Sequence, residues 1–532
     1  MSDPPSGAPA PALPDGGGKG TERRRDVTVW GSFMWGYADV GADIYVALGL
    51  VMAAAQGATS LAFGLAGLVY ILIGFGYTEL ASAYPVAGGG QYFALRGLGD
   101  FWGFVAGAAL LLDYTIDIAL FSVASVGYLN FFWPYLVGHA YVKHPIALGP
   151  LTLHDPVLAF EALALIAALI WLNIRGIKES SWFNAILGGV DIATESSIII
   201  FGFLFAWKPS LLAAQWHATM SHFSFHDFAY GSSLAIISFV GLESISQAAQ
   251  VTRRPATIIP RTSITLIFTV FIFAMAFSTL GLGVMPWQTF RDNIHDPVAV
   301  LAHHIPRIGM VAGPFAAFLG VTILAISANS GIMSASRLTF SMSRLRLVTS
   351  WLDKVHPRRR TPVRTIVLFS MIGALQVLLS AFTPQILDTL GNLYAFGATL
   401  GYILVFISLI KLRFSDPVTP RPYRVPLNLP WTRKDGTRVS LPILGFIGLL
   451  GVSMIFFEVV YTHRIGRIAG PTWVLLCLVY YALYRRSQKL PIFGSVPHDW
   501  EKEQIEVLTS AEEFDLLEQY KHALAARDRK RT

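Results

Sequence analysis

Two stretches decide how this sequence is read. The first is Gly36-Tyr37-Ala38-Asp39-Val40-Gly41-Ala42-Asp43-Ile44-Tyr45, and the second is Ser238-Phe239-Val240-Gly241-Leu242-Glu243-Ser244. Each lies near the middle of an apolar run long enough to cross a bilayer, which takes about 20 residues. Each puts glycine and a carboxylic acid together at that depth. Glycine loosens a helix by about 1 kcal/mol relative to alanine. Unwound backbone at membrane depth is tolerated only where it lines a protein cavity. Interrupted spans at matching positions in two halves point to a transporter's binding site. Glycines at such places also permit tight helix packing, so the acids beside them carry the functional reading.

The rest of the chain supports a membrane setting. Of 532 residues, 54% are hydrophobic and 14% charged, against about 25% charged in soluble domains. Mean hydropathy is +0.53. This excludes disorder over most of the length and an ordinary soluble enzyme. The single cysteine, Cys477, excludes an intrachain disulfide and a thiolate metal cluster. Twelve apolar stretches are expected, near 27–54, 60–82, 100–132, 157–174, 183–207, 228–250, 264–286, 308–338, 362–382, 388–412, 441–462 and 471–486. Residues 1–26 read as a disordered cytosolic tail. Residues 491–532 read as a second cytosolic tail, with room for one amphipathic helix. With the N-terminus inside, 34 of the 40 Lys+Arg fall on inner segments; Lys143, Lys208, Arg291, Arg307, Arg464 and Arg467 fall outside. That asymmetry predicts both termini on the cytosolic side. The broken spans are first and sixth, so inverted repeats of about 27–207 and 228–412 are expected, followed by two helices over about 441–486.

These residues resemble the amino acid–polyamine–organocation (APC) superfamily of permeases, over roughly 27–490. GADIYVALGL (41–50) looks like its first-helix break and FVGLE (239–243) like its sixth-helix break. YPVAGGGQYFALRGLGDFWGFVAGAALLLDY (84–114) is similar to its helix 2–3 signature. NIRGIKES (173–180) resembles the start of its fifth helix, and Ser336-Arg337 with KVHPRRRTP (354–362) its inner loop after helix 8. The resemblance implies an all-α integral membrane fold: a five-plus-five inverted repeat with two extra helices. It also implies alternating access around helices 1, 3, 6, 8 and 10, in a bacterial-type plasma membrane.

Seven acids lie well inside spans: Asp39, Asp43, Asp113, Asp117, Asp191, Glu195 and Glu243, with no Lys or Arg at that depth. On lipid faces they would cost roughly 20 kcal/mol together. They must face a cavity, be protonated, or hold cations. Asp113/Asp117 and Asp191/Glu195 are i,i+4 pairs, each on one helix face, and such pairs repel unless a proton or cation sits between them. Structural acids bonded to Thr115, Thr194, Ser122 or Ser196 are the alternative.

The candidate substrate residues are Gly41, Ala42, Asp43, Asp113, Tyr114, Asp117, Gly241, Glu243 and Tyr394. The candidate coupling residues are Asp39, Asp191, Glu195, Ser330 and Ser334, for H⁺, Na⁺ or K⁺. Many proton-coupled APC members carry a lysine where Asp191 aligns, in the place of a sodium ion in other relatives. An acid there makes room for a cation. Asp43 stands where the family presents small residues to a substrate carboxylate, which disfavours a plain zwitterion and points to a cationic amino acid or polyamine. The superfamily's potassium-importing branch resembles this chain at Asp113-Tyr114, Glu243 and Leu393-Tyr394-Ala395, but not at Asp117 and Phe121. The readings are therefore a cation-coupled permease for an amino acid or organic amine, a potassium–proton symporter, or a channel or sensor. The histidines, mostly in outer loops, show no metal spacing, and Gly88-Gly89-Gly90 lacks the Lys-Ser/Thr of a phosphate loop. No cofactor, nucleic acid or enzyme chemistry is expected; the partners are the bilayer and a small solute.

Overall fold

The computed structural model describes residues 29–86, 88–129, 131–133, 145–176, 181–247, 252, 254–357, 359, 361–432 and 438–529. The 1–26 tail, Ala87 of the helix 2–3 signature, Ile177 to Ser180 of the fifth-helix motif, and Arg358 and Arg360 lie outside them. The first half comprises α1 (Val29–Val40), α2 (Ile44–Ala55), α3 (Thr59–Ala83), α4 (Gly90–Leu98) and α5 (Asp100–Leu129). A small hairpin, β1 (Ile146–Leu148) with β2 (Leu151–Leu153), precedes α6 (Pro156–Arg175), α7 (Ser181–Phe205) and the short α8 (Pro209–Ser221). The second half has α9 (Phe225–Ala235), α10 (Leu242–Gln247), α11 (Pro255–Val284), α12 (Trp287–Asp292), α13 (Pro297–His303), α14 (Gly309–Arg344), α15 (Val363–Ser380) and α16 (Ile386–Ser415). Next come the antiparallel hairpin β3 (Asn428–Thr432) and β4 (Arg438–Pro442), then α17 (Ile443–Thr462), α18 (Arg464–Ser487), α19 (Trp500–Ser510) and α20 (Phe514–Arg529). Proline at the first turn starts α6, α8, α11 and α13, where its missing N–H costs nothing.

Eleven segments among the described residues are long and apolar enough to cross a membrane, against the twelve expected. The difference lies in Gly41–Ala83, 43 residues that form one continuous run. As a straight helix it would extend about 65 Å, roughly twice the hydrocarbon thickness. It turns instead at a 3₁₀ segment, Gln56–Ala58, where Gln56 takes φ +53°. A count of twelve depends on reading that run as two crossings.

The packing pairs four elements of the first half with their counterparts five spans later, while α7 packs on α1, α11 and α14. α3 lies along α11, α5 along α14, α6 along α15, and α2 along α9. Contacts of this n, n+5 kind agree with two interlocked five-span repeats. α5 is buried along almost its whole length. α17 and α18 leave Leu450, Phe457, Leu475 and Leu483 exposed, apolar surface that suits lipid as the solvent. The contacts also define two bodies. α1, α2, α3, α9, α10 and α11 pack chiefly on one another, as do α5, α6, α14 and α15, while α16 touches both.

Candidate functional site

The two breaks differ. At the sixth span a 3₁₀ turn, Ile236–Phe239, ends in extended backbone at Val240 (ψ 157°), and Gly241 takes φ +109°. Side chains other than hydrogen are strained at that φ. A Cβ on Gly241 would also come within 3.0 Å of Val40 and 3.2 Å of Asp39 Oδ2. At the first span the backbone does not unwind. It tightens through one 3₁₀ turn, Gly41–Asp43, and Val40 keeps helical angles. The role of Gly41 is spatial, since a Cβ there would lie 2.8 Å from the Tyr37 ring.

Five of the seven acids converge where the breaks meet α5. Asp43, Asp113, Asp117 and Glu243 are buried at 0%, 0%, 6% and 2% exposure. Asp117, Asp39 and Glu243 are the charged groups acting on Asp43, and neither oxygen of Asp43 has a hydrogen-bond donor. The Asp113 carboxyl reaches that of Glu243 at hydrogen-bonding range. Two anions cannot donate to each other, which is why both Asp113 oxygens lack a donor. Glu243 turns back onto the break, within reach of its own amide and that of Gly241. Asp117 lies beside Tyr394, and Tyr402 donates to Glu243 Oε2 at 3.3 Å. Close approaches hold α5 in place. A Cβ on Gly331 of α14 would fall 2.7 Å from that of Asp117, and one on Gly397 of α16 would fall 3.1 Å from the Asp113 nitrogen.

Asp191 and Glu195 form a separate group on α7. Asp191 Oδ1 accepts from Tyr45 at 2.7 Å, and Glu195 accepts a short bond from Tyr37. Each retains one oxygen without a donor. A small crevice beside them is lined by Tyr37, Gly41, Ile44, Glu195, Ser238 and Phe273.

The sequence grouped Asp39, Ser330 and Ser334 with Asp191, and the structure separates them. Asp39 lies with Glu243, and its carboxyl reaches Ser330 and Ser244. Asp39 lies two residues from Tyr37, on nearly the opposite side of α1, so it does not share the face that Tyr37 turns to Glu195. Ser334 is buried one turn further along α14, with no hydrogen bond to Asp191 or Glu195 among the described contacts. Gly41 and Ala42 are buried in the turn itself. Tyr114 lies close to Glu243 and Asp113.

Sequence reading named Tyr114 and Tyr394 but missed the other phenols. Tyr37 and Tyr45 flank the first break and serve the α7 acids. Tyr70 and Tyr77, one helix face apart by seven residues on α3, are fully enclosed near Glu243, and their hydroxyls lack partners. Their i,i+7 spacing on an apolar helix, facing the break, was the available signal.

No Lys, Arg or His is among the groups acting on these seven acids in the described residues. The buried arginines lie elsewhere, on the face where α19 and α20 sit, called here the tail face. Arg413 Nε donates to Glu79 Oε1 at 2.8 Å and its Nη2 to Oε2; Arg421 adds a contact at 3.2 Å and the Val425 amide one at 2.8 Å. Arg485 pairs with Asp100 at 3.0 Å, and Arg96 with Asp416 at 2.9 Å. Burial opposes charge on Asp416, yet Arg96 and Thr419 beside it hold its carboxyl below the usual range.

Residues 28–483 match the family model described as amino acid permease. The chain is 27% identical to the branched-chain amino acid permease BcaP of Bacillus subtilis (strain 168), over 85% of this chain and 90% of that one. It is also 27% identical to the methylthioribose transporter of the same organism, over 73% and 80%, and to cationic amino acid transporter 4 of Mus musculus, over 72% and 58%. The chain belongs to the amino acid permease family of the APC superfamily. It is a multi-pass membrane transporter and not an enzyme.

Proposed function

We propose that the chain is a proton-coupled transporter that moves an amino acid bearing a cationic group by alternating access. The observation that carries this reading is the cluster of Asp39, Asp43, Asp113, Asp117 and Glu243, closed off and without a basic partner among the described residues. Two carboxylates about 4 Å apart repel by about 4 kcal/mol at an effective dielectric of 20. The Asp113–Glu243 contact therefore needs a proton between the carboxyls, and a proton held there is one that the transport cycle can exchange. Glu243 already occupies amides of the sixth break. A substrate carboxylate would compete with it, whereas an ammonium group finds acceptors in Asp43 and Asp117. Asp191 and Glu195, with one free oxygen each, form a second titratable position, where relatives place a lysine or a cation. The name of the cationic relative agrees with this chemistry better than that of the branched-chain one. The lysine and arginine asymmetry supports a cytosolic tail face, and the bacterial relatives support a bacterial-type plasma membrane.

Counterflow in proteoliposomes with labelled lysine, arginine, leucine, putrescine and rubidium, with and without an imposed pH gradient, tests the proposal. Lysine or arginine flux that responds to the gradient is expected. Rubidium uptake without amine flux would instead favour a potassium–proton symporter. Asp191→Lys separates the two acid groups: it should lose cation dependence and keep substrate binding.

A further inference from the structure

We propose that the C-terminal segment, 491–529, is an intramolecular strap that holds the tail-face gate closed and sets the rate at which it opens. This rests on the alternating-access reading, and its test below has a readout that needs no substrate. The acids lie between the two packed bodies. Asp39, Asp43 and Glu243 belong to the body of α1, α2, α3, α9, α10 and α11; Asp113, Asp117 and Ser330 belong to that of α5 and α14. A path to them from the tail face requires these bodies to part there.

The strap is fastened to both. On the α5 body, Asp100 at the first turn accepts from the Val496 amide at 2.9 Å and lies 3.6 Å from His498. α4, which packs on α5 and α16, is gripped by α19: Tyr92 donates to Glu503 at 3.1 Å and Arg96 to Gln504 at 3.0 Å. The Arg96 guanidinium lies over Tyr84 at 4.4 Å and Trp500 at 5.5 Å. On the other body, Gln504 Nε2 donates to the Ala83 carbonyl at the end of α3 at 3.0 Å. Glu513, 2% exposed, accepts from the Ala256 amide at the start of α11 at 3.1 Å. Arg254, just before α11, lies 4.0 Å from Glu513 and 3.4 Å from Asp515. One side chain, Gln504, thus bridges Ala83 of one body and Arg96 of α4 on the other. Parting the bodies at this face breaks these bonds or carries the strap away.

Below the strap, Ser246 on α10 closes against Gly89, where a Cβ would meet its hydroxyl at 2.6 Å. It is a buried reporter between the strap and the acids. The experiment uses the full-length chain with Cys477→Ser and Ser246→Cys, reconstituted in liposomes, and compares it with versions that also carry Gln504→Ala or Arg254→Gln plus Glu513→Gln. Membrane-impermeant maleimide is applied from the tail face. Release of the strap is expected to speed labelling of residue 246 about fivefold or more, since each change removes hydrogen bonds to charged or buried groups. Lysine counterflow should rise with it. Unchanged labelling, in variants whose tail has become sensitive to protease, would overturn the proposal. So would slower labelling together with a lower melting temperature, the mark of a structural brace. Faster labelling with no flux of any amine would support the strap and count against the substrate reading alone.

Discussion

The carboxyl of Asp113 on α5 meets the carboxyl of Glu243 at the sixth-span break, across 130 residues of sequence, within hydrogen-bonding range. Tyr402 approaches the same glutamate from α16 at 3.3 Å. Three elements from the two packed bodies and the helix between them therefore meet at a contact that only a proton makes favourable.

Glu243→Gln replaces a titrating group by an amide of the same shape. The amide can donate to Asp113, so the contact survives while the exchangeable proton is lost. Uptake in proteoliposomes should fall by roughly 10–100-fold, the equivalent of one charge-assisted hydrogen bond, and should no longer respond to an imposed pH gradient. Wild-type flux that still follows the gradient would remove this pair from the coupling mechanism.

Asp43 has two oxygens without donors at 0% exposure, which leaves it available to a visiting ammonium group. Asp43→Asn should lower the ratio of lysine to leucine transport by about tenfold or more, the value of one charged hydrogen bond. Competition of unlabelled lysine and leucine against one tracer measures the ratio. An unaltered ratio would mean that Asp43 does not read substrate charge.

Glu79 anchors Arg413, Arg421 and the Val425 amide on the tail face. Glu79→Ala would leave two largely buried guanidinium groups unmatched, at a cost of about 3–5 kcal/mol. Thermal unfolding in detergent should show a clear drop in melting temperature. Arg413→Met combined with Glu79→Met should recover part of it, because an apolar pair of similar volume removes one of the two unmatched charges and leaves that of Arg421.

Burial raises Asp296, between α12 and α13 on the face opposite the tails, to about 7. The unfolded chain titrates the same carboxyl near 3.9. The folded state therefore binds a proton that the unfolded state has already released. Its stabilisation is full below about pH 4 and is lost as pH rises through about 7. Melting temperatures measured at pH 5 and pH 8 should favour the lower pH. Asp296→Asn, neutral throughout, should narrow that difference, and a wider one would contradict the assignment.

The spans, their glycine breaks and the one-sided set of acids were legible in sequence, because each follows from local composition. An apolar run must match the thickness of a bilayer, and a carboxylate inside one is costly wherever the chain goes. Asp113 with Asp117 and Asp191 with Glu195 could be placed on common faces by helical period alone. The turn at Gln56 was legible as well: one span was expected to end near 54 and the next to begin near 60, and the 3₁₀ segment Gln56–Ala58 falls between them.

Which acids meet was a different kind of question. Asp39 falls with Ser330 and Glu243, while Tyr37, two residues earlier and nearly opposite on α1, takes the face toward Glu195. Tyr37 and Tyr45 reach acids about 150 residues away, and Gln504 reaches Ala83 across more than 400. No periodicity encodes such pairings. Hydropathy and glycine act within a few residues of where they stand, so local composition sufficed for a helical membrane protein with interrupted spans and buried negative charge. Which carboxyls meet, which phenols serve them and where the tail is fastened came from the folded chain alone, since those contacts form between side chains that packing, and not chain order, makes neighbours.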